Sequence, residues 1–579
     1  AKTPERVFQE AVESNALQSA RFGRDAMERI RGDIKTVHFG NLRTTAEQLA
    51  GKKVRIEPTF FSALYGLQGR LDVLTEDPGN PSRKDIFELK SGARVPSGDV
   101  WRNHKMQVVC YNMLLSSTFG KQRVGTSSIL YSAAASNPVR NVASVIFDEW
   151  QALHVRNHIA GGLFRLSNGD YSLLRRINSH DFGEAPPYKT DDIGAFEGAY
   201  HLASEMEKKY YQHLLTFCLK EHQVAKIGSD RDNGREDSGF SALWQETLPE
   251  KLKKYNILCG LVYQRFDSAA NTVELKMDDP GLNHNFREGD LGIIYPKDPD
   301  MPDPLKSQIL KGNIESLDNG TVIFRLRNKQ LDETYFGSQR EWIIEHDLYE
   351  SNTWSVVQSL LRFLQAPARL KELIFGLSEP QFDDLPAVTV KELTPNQNSL
   401  LNSALRARDY FLMQGPPGTG KTSTMMVEVT RRLIASTKSR IVILAFTNRA
   451  VDEICARLRG VGIAFLRLGG RNADDEDALH SLVSGKDAGQ IRELIIRHRV
   501  FVSTVSSFHS RKSDLFDILP PDVLMIDEAS QLTEPMVVGL LPGFRKFILI
   551  GDQKQLPAVI AQSESRCRID DAELNRAGM

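Results

Sequence analysis

Apolar residues recur at helical spacing over residues 4–31 and predict helix there. Strand-like apolar runs follow at 53–58, 68–74, 84–90 and 126–132, and from Val100 to Leu115 the spacing turns helical again. A further helix is predicted near 195–220. The stretch IGSDRDNGREDSGF, residues 227–240, is rich in Gly, Asp, Ser and Arg and predicts a mobile loop. Between 255 and 345 the apolar runs are short and alternating. They are divided by turn chemistry such as Asp318-Asn319-Gly320, and close spacing of short strands predicts a small β-barrel. Helical periodicity returns from Trp354 to Phe375, with a break at Pro367. After about residue 390 strand and helix alternate, the pattern of a parallel α/β domain.

The 579 residues are enough for three or four domains, and 41% hydrophobic with 25% charged residues is the balance of a soluble globular protein. The formal net charge of −1 gives no argument for a nucleic-acid partner, so any basic surface must be local. Local clusters exist at Lys251, Lys253 and Lys254, at Arg325, Arg327 and Lys329, and at Arg431 and Arg432. Phe324 and Tyr335 beside the second cluster could stack on bases or could be core aromatics. No apolar run is long enough to span a bilayer, and AKTPERVFQEAVE is no signal peptide, so no membrane partner is expected. Five cysteines far apart, without C-x-x-C spacing, read as reduced intracellular thiols.

The strongest chemical signal is Gly415-Pro416-Pro417-Gly418-Thr419-Gly420-Lys421-Thr422, which fits G-x-x-x-x-G-K-[ST] between an apolar strand and a helix. Such a loop closes backbone N–H groups around nucleotide phosphates, Lys421 reaches the terminal phosphates and Thr422 ligates magnesium. In DVLMIDEASQ, Asp527 ends an apolar run and would hold that magnesium, while Glu528 would orient or deprotonate the attacking water. Gln397, about twenty residues before the loop, could read the adenine edge or simply be a solvated turn residue. ATP with Mg²⁺ is therefore the expected cofactor pair.

A second signal lies in GLQGRLDVLTED, DIFELKSG and HKMQVVCYNML. Glu88 and Lys90, two apart on a strand, point to the same face. Asp72 is expected on the neighbouring strand, and Gln107 and Tyr111 fall on one helix face. Glu-x-Lys by itself is weak, because the two residue types share a strand face in many proteins.

These segments resemble known families. Gln397, GPPGTGKT, AFTNRAVDEI (445–454), FVSTVSS (501–507), DEASQ (527–531) and GDQKQLPAV (551–559) stand in the order seen in superfamily-one helicases of the up-frameshift type. That resemblance implies that Gln555 senses the γ-phosphate. It also implies that Thr447, Asn448, Ser503 and Thr504 touch the nucleic-acid backbone, although each could equally be a helix cap or turn residue. G-x-x-D, E-x-K and Q-x-x-x-Y resemble the RecB-type branch of the PD-(D/E)xK nucleases. By that likeness Asp72, Glu88 and the Leu89 carbonyl would hold Mg²⁺ or Mn²⁺, Lys90 would position the attacking water, and Gln107 and Tyr111 would complete the catalytic set. Where that family often carries G-x-x-x-H, this chain has Gly23 and Met27, so Glu28 or Asp25 would complete the metal shell, or it has one ligand fewer. His104 is either a further neighbour or a partly exposed helix residue.

Together the two resemble the DNA replication ATP-dependent helicase/nuclease family. The resemblance implies an α/β multidomain chain: a PD-(D/E)xK nuclease at 1–190, a stalk helix at 191–228, a linker and β-barrel at 229–345, stalk helices at 346–390 and a RecA-like parallel α/β P-loop domain at 391–579. It implies a bifunctional ATP-dependent helicase and metal-dependent nuclease in replication or repair. Single-stranded or flapped DNA and a single-strand-binding protein would be its partners, in bacterial cytoplasm or nucleus. An RNA or RNA–DNA helicase with an inactive nuclease-like domain, and a nucleotide-gated binding module, are the alternatives. Family members commonly hold an iron–sulfur cluster. Residues 112–217 contain no cysteine, so no cluster is expected. No second motor motif set follows GDQKQLPAV, so weak ATP hydrolysis is expected of this chain.

Overall fold

The computed structural model describes residues 3–576 except 93–96, 98, 184, 229–238, 298–302, 331–332, 340, 348–350 and 471–475. Most of the 227–240 stretch lies outside the described residues. The chain divides into two compact units. One comprises 1–31, 163–222 and 350–579, and the other 32–162 and 223–349.

In the second unit, a five-stranded sheet runs in the order Lys53–Ile56, Val73–Asp77, Asn80–Lys90, Val124–Tyr131, Val139–Asn141. Asn80–Lys90 and Val124–Tyr131 are parallel, and the other pairs are antiparallel. The parallel pair needs a crossover, which the helix Arg102–Phe119 supplies. That helix buries Tyr111, Leu114 and Leu115 against Phe60, Leu71, Leu74 and Ile86. A hairpin of Thr59–Ser62 and Leu67–Arg70 joins this layer to the barrel through a bridge from Thr59 to Ile309.

The barrel closes from Ile257–Asp267, Thr272–Met277, Leu291–Pro296, Leu310–Asp318, Thr321–Leu326 and Trp342–His346. Asn319 and Gly320 both take positive φ and make the two-residue turn between adjacent antiparallel strands. Phe324, Phe336 and Trp342 are fully buried inside. Phe61 of the hairpin packs with Phe240, Ile293 and Ile309 in one core, so sheet and barrel form a single unit.

In the first unit, six strands are all parallel, ordered Tyr410–Gln414, Lys546–Gly551, Val523–Ile526, Ile441–Ala445, Val500–Thr504, Leu466–Arg467. Near-continuous apolar strands such as IVILA and VLMI suit a sheet covered on both faces. The helices Glu205–Ile227 and Ser351–Leu364 pack together through Tyr210, Leu214, Leu360 and Phe363. Ala368–Ile374 starts after Pro367, where the break was expected.

The contact division differs from the boundaries read along the chain. The helices Pro4–Ser14, Ala16–Arg21 and Arg24–Asp33 bury Val12, Ala16, Leu17, Ala20 and Met27 in the core of the P-loop sheet, among Leu466, Ile491 and Phe508. Arg21 ties them down through Asp514 at 2.6 Å and Asp517 at 2.5 Å. Residues 1–31, expected from the sequence to belong with 32–190, thus pack with the P-loop sheet, because their apolar stripe finds its complement there.

Candidate functional site

Asp72 lies in the bend just before the strand Val73–Asp77, not within a strand as expected. Its Oδ2 accepts the Leu89 N–H at 2.7 Å, which locks the bend onto the C-terminal end of Asn80–Lys90. Glu88, 2% exposed, accepts the Lys90 ammonium on Oε1 at 2.7 Å. Lys90 also donates to Gln107 Oε1 at 2.7 Å, and Gln107 Nε2 donates to the Tyr111 hydroxyl at 2.7 Å. The five residues therefore form one connected group on three elements. Glu88 Oε2 is buried with no hydrogen-bond partner. Burial pushes the Glu88 carboxyl above its ordinary range, and the neighbouring Asp72 carboxylate pushes it further. Two interacting carboxylates, one with an orphaned oxygen, fit a hard divalent cation, which would remove both costs. Burial, with the Glu88 charge next, takes Tyr111 up to about 12, so its hydroxyl stays protonated.

Residues outside the sequence-derived set join this group. Ser132 N–H and Oγ both donate to the Lys90 carbonyl, at 3.0 and 3.2 Å. His38 Nδ1 lies 2.9 Å from Ser132 Oγ, and Asn41 donates to the Ser132 carbonyl at 2.9 Å. His38 falls in a wide helical turn at Ile34–His38, beyond the Gly23 and Met27 positions that carry the first-helix spacing. His104 pairs with the Tyr131 hydroxyl at 3.0 Å, and burial lowers its pKa. Of the expected first-helix ligands Glu28 and Asp25, Glu28 pairs with Arg31 at 2.6 Å, and Met27, in the place of the family's histidine, is buried in the P-loop unit. Among the described residues no group of three or more His, Cys, Asp or Glu is arranged to hold a metal.

The loop Gly415–Thr422 links the strand Tyr410–Gln414 to the helical turn beginning at Lys421. Gly418 and Gly420 take positive φ, and a side chain at Gly415 would collide with Thr419 and Lys421. Thr422 Oγ1 donates to Asp527 Oδ2 at 2.7 Å. Lys421 Nζ, Asp527 Oδ1 and Glu528 Oε2 are buried without hydrogen-bond partners. Burial raises the Asp527 pKa and Glu528 adds to it. An orphaned ammonium beside an orphaned carboxylate fits a phosphate with a divalent cation. Gln555 Nε2 donates to Asp552 Oδ2 at 3.0 Å, the main cause of that carboxyl's low pKa.

Gln397 is the last member of a Thr394-Pro395-Asn396-Gln397 capping box. Its Oε1 accepts the Thr394 N–H at 3.0 Å and its Nε2 donates to the Thr419 carbonyl at 3.3 Å. The amide is thereby held against the phosphate loop. The expected nucleic-acid contacts separate. Thr447 and Thr504 cap helices, accepting from Ala450 and Ser507, and Asn448 opens the helix after Thr447. Ser503 is 1% exposed and donates to the Leu468 carbonyl at 2.6 Å, so a backbone contact through its hydroxyl is corrected to a core bond. Tyr335 and Phe324 are buried in the barrel, not stacking surfaces. Lys251 is buried against Glu345 at 2.9 Å, Lys254 pairs with Glu246, and Arg431 and Arg432 pair with Glu428. Neutralised pairs of this kind make poor phosphate-binding patches.

The family model described as an AAA domain matches residues 397–561. The DNA replication ATP-dependent helicase/nuclease JHS1 of Arabidopsis thaliana is 24% identical over 95% of this chain and 44% of its own length. The DNA replication ATP-dependent helicase/nuclease DNA2 of Bos taurus is 29% identical over 91% of this chain and 52% of its own. These matches take in both site-bearing units.

The chain is similar to DNA replication ATP-dependent helicase/nucleases along most of its length.

It spans about half the length of the helicase/nuclease relatives it matches. A solved structure, the UvsW helicase from Bacteriophage T4, aligns at a TM-score of 0.23 and 16% identity over 36% of this chain and 65% of its own. Cys110 sits half-buried on its helix. Among the described residues no helix is long and apolar enough to cross a membrane.

Proposed function

We propose that this chain binds ATP at Gly415–Thr422 and cuts single-stranded or flapped DNA at the group around Asp72, Glu88 and Lys90. The nuclease half would have a PD-(D/E)xK fold and the ATP half would be the first motor domain of a helicase. The observation that carries the reading is the buried, unpartnered oxygen of Glu88 beside the Asp72 carboxylate, with Lys90 held against both Glu88 and Gln107.

Asp72, Glu88 and the Leu89 carbonyl would hold Mg²⁺ or Mn²⁺. Bound there, such a cation supplies Lewis acidity and a water of lowered pKa. Lys90 orients the attacking water and balances the charge that develops on the phosphate. Gln107 keeps the Lys90 ammonium aimed, and Tyr111 keeps Gln107 aimed. In the other site Lys421 would meet the terminal phosphates. Thr422 and Asp527 would hold Mg²⁺, Glu528 would orient water, and Gln555 with Asp552 would sense the γ-phosphate.

The test is incubation of a labelled 5′-flap DNA with the protein and Mg²⁺ or Mn²⁺, wild type beside Asp72→Ala, Lys90→Ala and Lys421→Ala. Cutting that is lost in the first two variants and kept in the third supports the reading. ATP-responsive DNA binding with no cutting in the wild type would replace it with a nucleotide-gated binding module.

A further inference from the structure

The helix Ile146–Ser167 carries the sequence His-Val-Arg-Asn-His at 154–158. Histidines four apart share one helix face. Here the Nε2 atoms of His154 and His158 lie 2.9 Å apart, with ring centroids 4.4 Å apart and planes at 82°. Both residues are exposed. Arg156, between them in sequence, is engaged elsewhere: it donates to the Tyr65 carbonyl and to Asn157 Oδ1.

At this distance one ring donates its N–H and the other accepts, so both Nε2 atoms are aimed at one point between the rings. A metal ion in place of that hydrogen needs little movement of either ring. Two imidazole nitrogens each ~2.05 Å from one ion and ~90° apart lie ~2.9 Å from each other, whereas a tetrahedral angle would set them ~3.3 Å apart. The spacing matches neighbouring positions of a tetragonal or octahedral shell, the preference of Cu²⁺ and Ni²⁺ rather than of structural zinc.

We propose that His154 and His158 form a surface chelate for a divalent transition-metal ion of the Ni²⁺ or Cu²⁺ kind. Water fills the other positions, because among the described residues no third His, Cys, Asp or Glu joins the pair. The site is open and its ion exchangeable. Its two nitrogen donors set it apart from the oxygen donors of Asp72 and Glu88, so Mg²⁺ does not compete for it.

The test is calorimetric titration of the full chain with NiCl₂ in a large excess of Mg²⁺, wild type beside His154→Ala, His158→Ala and the double variant. One equivalent should bind in the wild type. Either single variant should bind about tenfold or more weakly, since one of two donors is lost, and the double variant should lose the equivalent. Circular dichroism of the variants should match the wild type. His158→Ala combined with Ile159→His keeps the number of histidines but moves the second ring off the shared face, and it should stay as weak as the single variants. Identical isotherms for wild type and double variant would overturn the proposal, as would full recovery through Ile159→His.

Discussion

Lys90 Nζ lies 2.7 Å from Glu88 Oε1, an ion pair between residues two apart on one strand face. A surface pair of this kind is worth little, but Glu88 is 2% exposed and Lys90 reaches on to Gln107. The pair is a positioning device for the ammonium, and its removal should be read in rate. Lys90→Ala is expected to slow metal-dependent cutting on the order of 10²–10³-fold, the range for losing one charge-stabilising donor. Gln107→Ala, which frees the ammonium without removing it, should cost roughly 10–100-fold. Single-turnover cutting of a labelled flap measures both, and equal rates in wild type and Lys90→Ala would refute the role.

Lys421 Nζ and Asp527 Oδ1 are buried without partners across the phosphate loop. Lys421→Ala and Asp527→Asn should each weaken binding of a fluorescent ATP analogue by about tenfold or more, because each removes a charge opposite the phosphate or its cation. Neither should alter cutting in the absence of ATP. An unchanged Kd for the analogue in Lys421→Ala would argue against this loop as the nucleotide site.

Leu17 and Arg21 fasten the first helices to the P-loop unit, Leu17 by burial and Arg21 through Asp514 and Asp517. Leu17→Ala should destabilise that unit by about 2–4 kcal/mol. Arg21→Ala should cost about 1 kcal/mol or less, since Arg21 is partly solvated. Denaturant unfolding followed by ATP-analogue binding reads this, and an unshifted midpoint for Leu17→Ala would count against the packing.

Ser503 and Thr504 are adjacent but differ in role. Thr504→Ala should cost about 1 kcal/mol through loss of a helix cap. Ser503→Ala should cost about 1–3 kcal/mol by stranding the Leu468 carbonyl and should leave single-strand DNA affinity unchanged. A DNA affinity that falls selectively in Ser503→Ala, with stability intact, would restore the contact role.

Lys546 donates to the Ala404 and Leu405 carbonyls from a buried position, and burial brings its pKa down to about 8 from 10.5. Its folded value is below its unfolded one, so between about pH 8 and pH 10 the unfolded chain holds more protons and stability rises with pH. Lys546→Met lacks this contribution. The stability difference, wild type minus variant, should grow across that window, by up to ~3 kcal/mol. A flat difference from pH 7 to pH 10 would contradict the buried ammonium.

Much of this protein is written in local pattern. Continuous apolar runs mark strands buried on both faces, so the P-loop sheet was legible, as were the barrel strands and the Asn319-Gly320 turn. The phosphate loop was legible because positive φ and close backbone approach restrict Gly415, Gly418 and Gly420 to glycine. Glu88 with Lys90 and Gln107 with Tyr111 were legible as pairs, since strand and helix periods put each pair on one face, whereas Asp72 lies in a bend that no period marks. Which faces meet was decided by tertiary packing. Met27 and the first helices went to the P-loop core, and Ser503, Phe324 and Tyr335 went inside. Lys251 found Glu345 94 residues away, and His38 came to Ser132 from 94 residues upstream. A period along the chain says which side of an element is apolar, but burial depends on a complement that only the folded chain brings into contact.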